Sequence, residues 1–308
     1  MAVTSAYQTY GDVSRVEDVV LNAIELLTAQ ETSILTMLRK TEAKDTVHAY
    51  LTDTLSTPAS SAVQQGADYS FNSITPPARL TNIVEEVARP FRITQVQNDV
   101  SHYQGGNETE RQVVKAMKEW GNSAEFDLVR STLVSGVSGT VAKMSGIIEA
   151  ISKSTNTTAH TSGTVFSASI LDGLMEDNWD NSNGDVATDL FVGGSMRRTI
   201  DGFVAKSNVV VNGDTDTGRK LIRTVTSYET AFGTLMIHKH RFVQQSADAN
   251  ARVLAIRPDK LAVAYLRRPF IDTELARSGA YLPRAVYGSL TLEVNNQDSC
   301  WFATGFLK

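Results

Sequence analysis

Apolar residues recur along this chain in two rhythms, and the change between them marks its parts. The first 13 residues are polar, show no helical period and are read as an arm. Ser14 with Glu17 then forms a capping box, followed by Val16, Val19, Val20, Ala23, Ile24 and Leu27 at helical spacing. A short second helix is expected from about Thr32, carrying Ile34, Leu35 and Leu38. The strongest helical signal follows the break at Gly105-Gly106. Asn107 with Glu110 caps it, and Val113, Met117, Trp120, Ala124 and Leu128 make one stripe, with Phe126, Val129 and Leu133 beside it. With Gly136 as its stop, the helix is predicted over 108–135, about 42 Å at 1.5 Å per residue. Gly121 lies inside it at a cost of about 1 kcal/mol against alanine, which predicts a kink or close packing. Further helices are predicted from Ser167 to Asp180, through Ile170, Leu171, Leu174, Met175 and Trp179, and after Gly193-Gly194, through Met196, Ile200 and Phe203.

The other rhythm is alternation. Residues 46–100 alternate over Val47–Leu51, Tyr69–Phe71 and Val87–Val96, separated by Thr57-Pro58, Gly66 and Thr75-Pro76-Pro77. This predicts an extended β-hairpin with too few apolar residues to build a core of its own. Residues 137–168, rich in Ser, Thr and Gly, are read as connecting loops and strands, with Ile147-Ile148 their main apolar pair. Phe191-Val192 reads as a buried strand, and Val209–Val211 as a strand ending at the turn Asn212-Gly213. Leu221–Tyr228, Thr234–Val243, Val253–Ile256 and Leu261–Leu266 are strands, and Ala285–Phe306 reads as a final long hairpin. The predicted class is α+β: a long helix and terminal strands in one domain, and a compact α/β region near 165–265 in another.

Composition narrows the class. The 308 residues are 42% hydrophobic and carry a formal net charge of -5, so the core is sizeable and the chain is not a basic nucleic-acid condenser. No apolar run has the length of a membrane span, and the N-terminus has neither the basic nor the apolar part of a secretory signal. A single cysteine, Cys300, rules out an intrachain disulfide, so stability comes from packing or from assembly.

Candidate chemistry is sparse. Gly213–Lys220 has the outline of a phosphate loop, but Arg219 separates Gly218 from the lysine and Leu221 follows it; a solvated hairpin turn is the reading. Asp214, Asp216 and Gly218 have the wrong glycine spacing for a calcium loop and lack its closing Glu. His238 and His240 share one face of a strand, which is compatible with a metal, yet no Cys, Asp or Glu lies close in sequence; they are read as belonging to an edge or interface strand. Cys300 is read as a buried structural thiol, and adjacent Glu85 and Glu86 point to opposite faces of a strand. No catalytic residue, cofactor or metal is assigned. An arm and a hairpin that cannot bury their own apolar faces imply assembly with copies of the same chain or with a partner.

The order of these parts resembles a tailed-phage major capsid protein with the HK97-type fold, and within that family the branch named after the SU10 major head protein. The resemblance is carried by Gln30–Leu35, like the family's early turn with Ser33 where proline is common; by Arg79–Asn82 and Phe91–Gln95, like the return strand of its extended loop; and by Glu125–Gly136 with Met144–Ile147, like the end of its spine helix. Tyr228–Gly233 with Arg241-Phe242, Leu275–Gly279 and Leu290–Val294 continue it to the C-terminus.

The resemblance implies an N-terminal arm (1–45), an extended loop (46–100), a peripheral domain with the spine helix (101–150), an axial domain (151–265) and return strands of the peripheral domain (266–308). It implies a self-assembling icosahedral shell of hexamers and pentamers around double-stranded DNA, bound without sequence specificity. It also implies a portal partner, optional scaffolding and decoration proteins, assembly in the host cytoplasm, and no enzymatic role. An encapsulin-type compartment is the alternative. Arg79, Arg89 and Arg92 are the candidates for inter-subunit ion pairs. Some family members join subunits through lysine–asparagine bonds, but no lysine lies between Lys44 and Lys115, so none is expected from this loop.

Overall fold

A computed structural model describes residues 32–56, 59–66, 68, 74, 76–99, 108–137, 139–154, 156–205, 226–277 and 279–308. The expected helix at 14–27, the strand at 209–211 and the 213–220 loop lie outside them. Helix α1 (Ser33–Met37) leads into strand β1 (Arg39–Glu42), then β2 (Val47–Thr52), β3 (Ala78–Ile83) and β4 (Glu85–Thr94). After α2 (Gln95–Asp99) come the long helix α3 (Glu108–Arg130), α4 (Ile147–Ser152), β5 (Thr157–Thr164), α5 (Ala168–Ser182), β6 (Asp189–Val192) and α6 (Gly194–Ala205). Strands β7 (Ser227–Thr230), β8 (Gly233–Lys239), β9 (Ala251–Ile256), β10 (Leu261–Asp272), β11 (Tyr281–Val294) and β12 (Trp301–Phe306) complete the order.

The strands form a four-stranded sheet in the order β1-β10-β11-β4, a six-stranded sheet in the order β5-β12-β9-β6-β8-β7, and the separate pair β2-β3. The apolar alternation of the six-stranded sheet feeds two cores. Leu190, Val192, Val253, Ala255 and Trp301 face α5 and α6, meeting Leu171, Leu174, Met175, Met196 and Ile200. Phe191, Leu254, Ile256 and Phe302 face the other way and join Trp120, Leu128, Ile147, Val263, Leu290 and Leu292 in a core shared with α3, α4 and the four-stranded sheet.

Three expectations are corrected. The tail is not a hairpin. β11 pairs with β10 and β4, while β12 pairs with β5 and β9. The turn at Gln297–Ser299 carries the chain from one sheet to the other, so the C-terminal strand lies in the sheet of 157–256 rather than with β11. Alternation fixes which side of a strand is apolar but not which strand lies beside it, and Trp301 and Phe302 can bury opposite faces only between two layers. Second, α3 ends at Arg130, not at 135. Gly146 comes so close to the helix end that an added Cβ would sit 2.9 Å from the Ser131 backbone, and its N–H donates to Ser131 O at 2.9 Å. That crossing stops the helix and starts the return through α4. Third, the stripe of α3 is rotated from the expected one: Ala116, Trp120, Ala124 and Leu128 are its buried line, Val113 is half-buried, and Met117 is 41% exposed. Trp120 sets the rotation. Its indole N–H donates to Val87 O at 2.9 Å, and its ring lies on Gly288, where a Cβ would meet it at 2.7 Å. The helix runs unbroken through Gly121, which is buried.

Candidate assembly interface

The feature least explained by the chain's own packing is the β2-β3 hairpin. Its register runs from Val47 opposite Ile83 to Thr52 opposite Ala78, and of its paired residues only Asn82 is buried. The root is fastened to the body. Asn82 donates through Nδ2 to Ser145 O at 3.1 Å and Leu292 O at 2.9 Å, and accepts from Ser145 N at 2.9 Å. Thr291 donates to Ile83 O at 2.8 Å, and His48 Nε2 lies 2.5 Å from Glu293 Oε1. Beyond the root, aliphatic side chains among the described residues stand bare: Leu51 is 67%, Leu55 99% and Ile74 94% exposed. Large aliphatic side chains left in water at these fractions mark a surface meant to be covered. The fixed root with a bare outer part suits a hairpin that lies on another molecule.

The arginines take different positions. Arg79 is on β3 of the hairpin and exposed. Arg89 and Arg92 are on β4, an edge strand of the four-stranded sheet, so they belong to the body rather than to the loop. Arg89 donates to the Ser123 hydroxyl of α3, and the Arg92 guanidinium lies 5.5 Å from the centre of the Tyr281 ring. All three are exposed, so none of these local contacts spends the full donor set.

Two polar joints, one buried and one half-buried, tie α3 to the segment after β8, and the sequence pattern predicted neither. Glu125 is fully buried. It accepts from Ile34 N at 2.8 Å and Leu35 N at 2.7 Å, and His240 Nε2 is 2.8 Å from Oε1. Phe242 N donates to His240 Nδ1 at 3.2 Å, so Nδ1 carries the lone pair and Nε2 donates to the carboxylate. One turn further on, Arg130 makes a two-pronged pair with Asp248 at 2.9 and 2.8 Å, and that guanidinium holds the Asp248 carboxyl down to about 2. The signal available in the sequence was the placement of Glu125 beside Ala124 and Leu128, on the apolar side of the helix.

A third polar group sits under the hairpin root. Glu85 is buried, facing Asp127, and accepts from Met144 N at 3.1 Å; burial and then the neighbouring Asp127 charge push its carboxyl up to about 7. Glu86 is exposed on the opposite face.

The remaining candidates separate. His238 pairs with Asp189 at 2.9 Å on the half-exposed side of β8 and does not share a site with His240. β8 lies inside the sheet, between β6 and β7, rather than at its edge. Cys300 is buried, and desolvation pushes its thiol up to about 11, the opposite of an activated nucleophile. Among the described residues no three His, Cys, Asp or Glu side chains are grouped to hold a metal, and no helix is long and apolar enough to cross a membrane.

The comparisons with known proteins agree with this architecture. No curated protein matches the sequence. Among solved structures, the capsid of the native GTA particle superposes with a TM-score of 0.67 at 11% identity, covering 97% of this chain and 98% of that one. A protein of Microbacterium phage Oxtober96 gives 0.61 at 14% identity over 98% and 99% of the two chains. The SrpI encapsulin of Synechococcus elongatus PCC 7942 gives 0.60 at 10% identity over 93% and 92%. At these identities the likeness is one of fold, the HK97-type α+β architecture. The sequence itself decides the family: residues 3–306 match that of the SU10 major capsid protein, and this chain belongs to it as a bacteriophage major capsid protein.

Proposed function

We propose that this subunit builds an icosahedral shell of hexamers and pentamers around double-stranded DNA, with the 151–265 region at the capsomer centres and the β2-β3 hairpin of the 46–100 loop laid over neighbouring subunits. The observation that carries the loop's role is the hairpin with a fastened root and bare Leu51, Leu55 and Ile74. Each aliphatic gains a dry environment only on the next chain, at about 25 cal/mol per Å² of apolar area covered. Small contacts repeated over many copies give a strong shell. Arg79, Arg89 and Arg92 are proposed to pair with carboxylates of adjoining subunits; Arg79 is the best placed, being on the hairpin itself.

The role is structural rather than catalytic. The formal charge of -5 suits a container that does not grip its contents, because neutralising phosphates would need an excess of Lys and Arg. Assembly in the host cytoplasm, attachment to a portal, and service by scaffolding and decoration proteins belong to the same reading.

Electron microscopy of the purified protein tests it. Shells or capsomers are expected. Deleting 53–76 is expected to leave folded subunits that no longer close into shells, and replacing the three arginines by alanine to impair closure less severely. Particles of normal shape and yield from the deletion would overturn the role given to the loop. The fold shared with SrpI keeps a cellular compartment as the second reading, and particles holding protein instead of DNA would select it.

A further inference from the structure

Two exposed patches of opposite charge lie on the six-stranded sheet and its helices; Arg257 and Lys260, near the acidic one, are already paired with Asp185 at 3.0 Å each. Helix α5 carries no Lys or Arg, and its outward side presents Glu176, Asp177 and Asp180, all exposed, beside Trp179, which is 45% exposed. The second half of α5 lies at one end of the sheet: Asn178 donates to Asp298 O at 2.8 Å, next to the start of β12, and the Trp179 ring lies 6.3 Å from that of Phe232, just before β8.

The opposite end carries cations. β6, β8 and β12 all run the same way, so Lys239 at the far end of β8 and Arg241 just beyond it lie on the same end of the sheet as Lys308 beyond β12. Lys239 and Arg241 are exposed and line an open cleft of about 760 Å³ with Gly194, Phe242, Gln244 and Gln245. Lys308 reaches into the same region, donating to Ser246 O at 2.9 Å. A six-residue strand separates the two ends by about 20 Å.

We propose that the acidic outer side of α5, with Trp179, docks on the Lys239–Arg241 cleft of the next copy of this chain, and that this head-to-tail contact closes the capsomer ring. The inference rests on the shell reading above and gives it a contact. Each copy carries three carboxylates on the outer side of α5 and a basic cleft with Lys239 and Arg241, so identical chains can pair patch with patch, and a contact between two different patches of the same protein generates a ring when its rotation closes. Glu176 and Asp180 are four residues apart and so sit on one side of the helix, where Asp177 adjoins them. A nucleic acid on the cleft would leave the acidic helix without a partner. Another copy uses both ends.

Charge exchange tests it. The variants are Glu176→Lys, Asp177→Lys, Asp180→Lys as one set and Lys239→Glu, Arg241→Glu as the other. All five residues are exposed, so thermal melts of the subunits are expected to match the parent. Each set alone is expected to lower the fraction of protein in sedimenting particles at least tenfold. The two sets combined in one chain rebuild the contact with its polarity reversed and are expected to recover most of that fraction. If either set fails to fold, the amide versions (Glu176→Gln, Asp177→Asn, Asp180→Asn; Lys239→Gln, Arg241→Gln) serve instead: slower assembly supports the contact, and an unchanged rate overturns it. Single sets that assemble like the parent overturn the proposal, as does a combined variant no better than either set. Cleft variants that form normal shells with less nucleic acid inside overturn it too, and assign the cleft to the packaged polymer. A parent chain that forms neither rings nor shells removes the shell reading itself and this contact with it.

Discussion

Replacing Glu125 by alanine tests how the body of this subunit is held together. Its carboxylate does the work of a helix cap from a distance. Helix α1 has Thr32 at its N-cap, and that side chain makes no capping hydrogen bond; the Ile34 and Leu35 amides donate instead to Glu125, 91 and 90 residues away. His240 supplies the third donor, from the segment that follows β8. One side chain therefore fastens α1, α3 and the six-stranded sheet at a point where both Glu125 and Ile34 are 0% exposed. Alanine would strand two backbone N–H groups and an imidazole N–H away from water. Orphaned buried donors cost about 1–3 kcal/mol each, and breaking a buried polar pair costs about 3–5 kcal/mol, so a net loss of about 4 kcal/mol is expected after relaxation. Glutamine keeps the shape and one acceptor oxygen, and about half that loss is expected. Urea denaturation of unassembled subunits reads the change, and amide exchange reads its location: Ile34 and Leu35 should exchange far faster in the alanine variant while amides in β9 stay protected. A stability change under about 1 kcal/mol with unchanged exchange at those two amides would refute the account of Glu125 as the joint.

The other predictions concern single groups. Glu85 has its folded carboxyl raised from 4.5 to about 7, so the folded state holds a proton that the unfolded chain releases; the stability this gives is full below about 4.5, is lost as pH rises toward 7, and does not change further above that. Glu85→Gln should remove that slope and stabilise the subunit at pH 8 by up to about 3 kcal/mol, read from denaturation curves across pH. Asp248 is the reverse case, lowered from 3.8 to about 2, so its contribution is full above 3.8 and is lost as pH falls toward 2; Asp248→Asn should cost about 2 kcal/mol at neutral pH and flatten the acid limb of the same curves. Gly305 has a φ of 101°, and a Cβ there would lie 2.1 Å from His160 O, so Gly305→Ala should break the β5–β12 pairing and lower the melting temperature or the soluble yield sharply. With no lysine between 44 and 115, a boiled and reduced gel of mature particles should show one band and no ladder from loop crosslinks.

Elements whose signals are local were legible in the sequence. Ser167 is the N-cap of α5 and accepts from Ile170 N, and the apolar spacing through Leu171, Leu174 and Met175 faces the core as the period required, whereas Trp179 of the same series is 45% exposed. The hairpin was visible through what it lacks, because alternation without enough apolar residues predicts strands that need an outside partner. Non-local choices were not legible. Ala285–Phe306 alternates equally well as a hairpin or as two strands in two sheets, and only the neighbours of Trp301 and Phe302 decide. On α3 the residues Val113 and Met117 scored as apolar, yet Trp120 fixes the helix's rotation through Val87 O and Gly288, leaving Met117 in water. The buried Glu125 was hidden for the same reason: its partners are brought to it from residues 34, 35 and 240.

The placement of polar groups bears on how such a subunit can be both rigid and able to assemble. Within the body, two polar joints pair groups across elements: buried Glu125 joins α3 to α1 and to the segment after β8, and half-buried Arg130 joins α3 to Asp248 in the same segment. These contacts demand exact geometry and give α3 one seat against the six-stranded sheet, since a buried group that loses its partner costs more than the pair is worth. On the outside the pattern inverts. The hairpin tip offers bare aliphatics, α5 offers carboxylates, and the Lys239–Arg241 cleft offers cations. Exposed charges cost little while the subunit is alone, and they steer encounters over about 8 Å at physiological salt before apolar surfaces meet. A shell protein needs that division. Interactions that define the subunit must survive alone in water, whereas those that define the shell must stay weak until many copies engage them together.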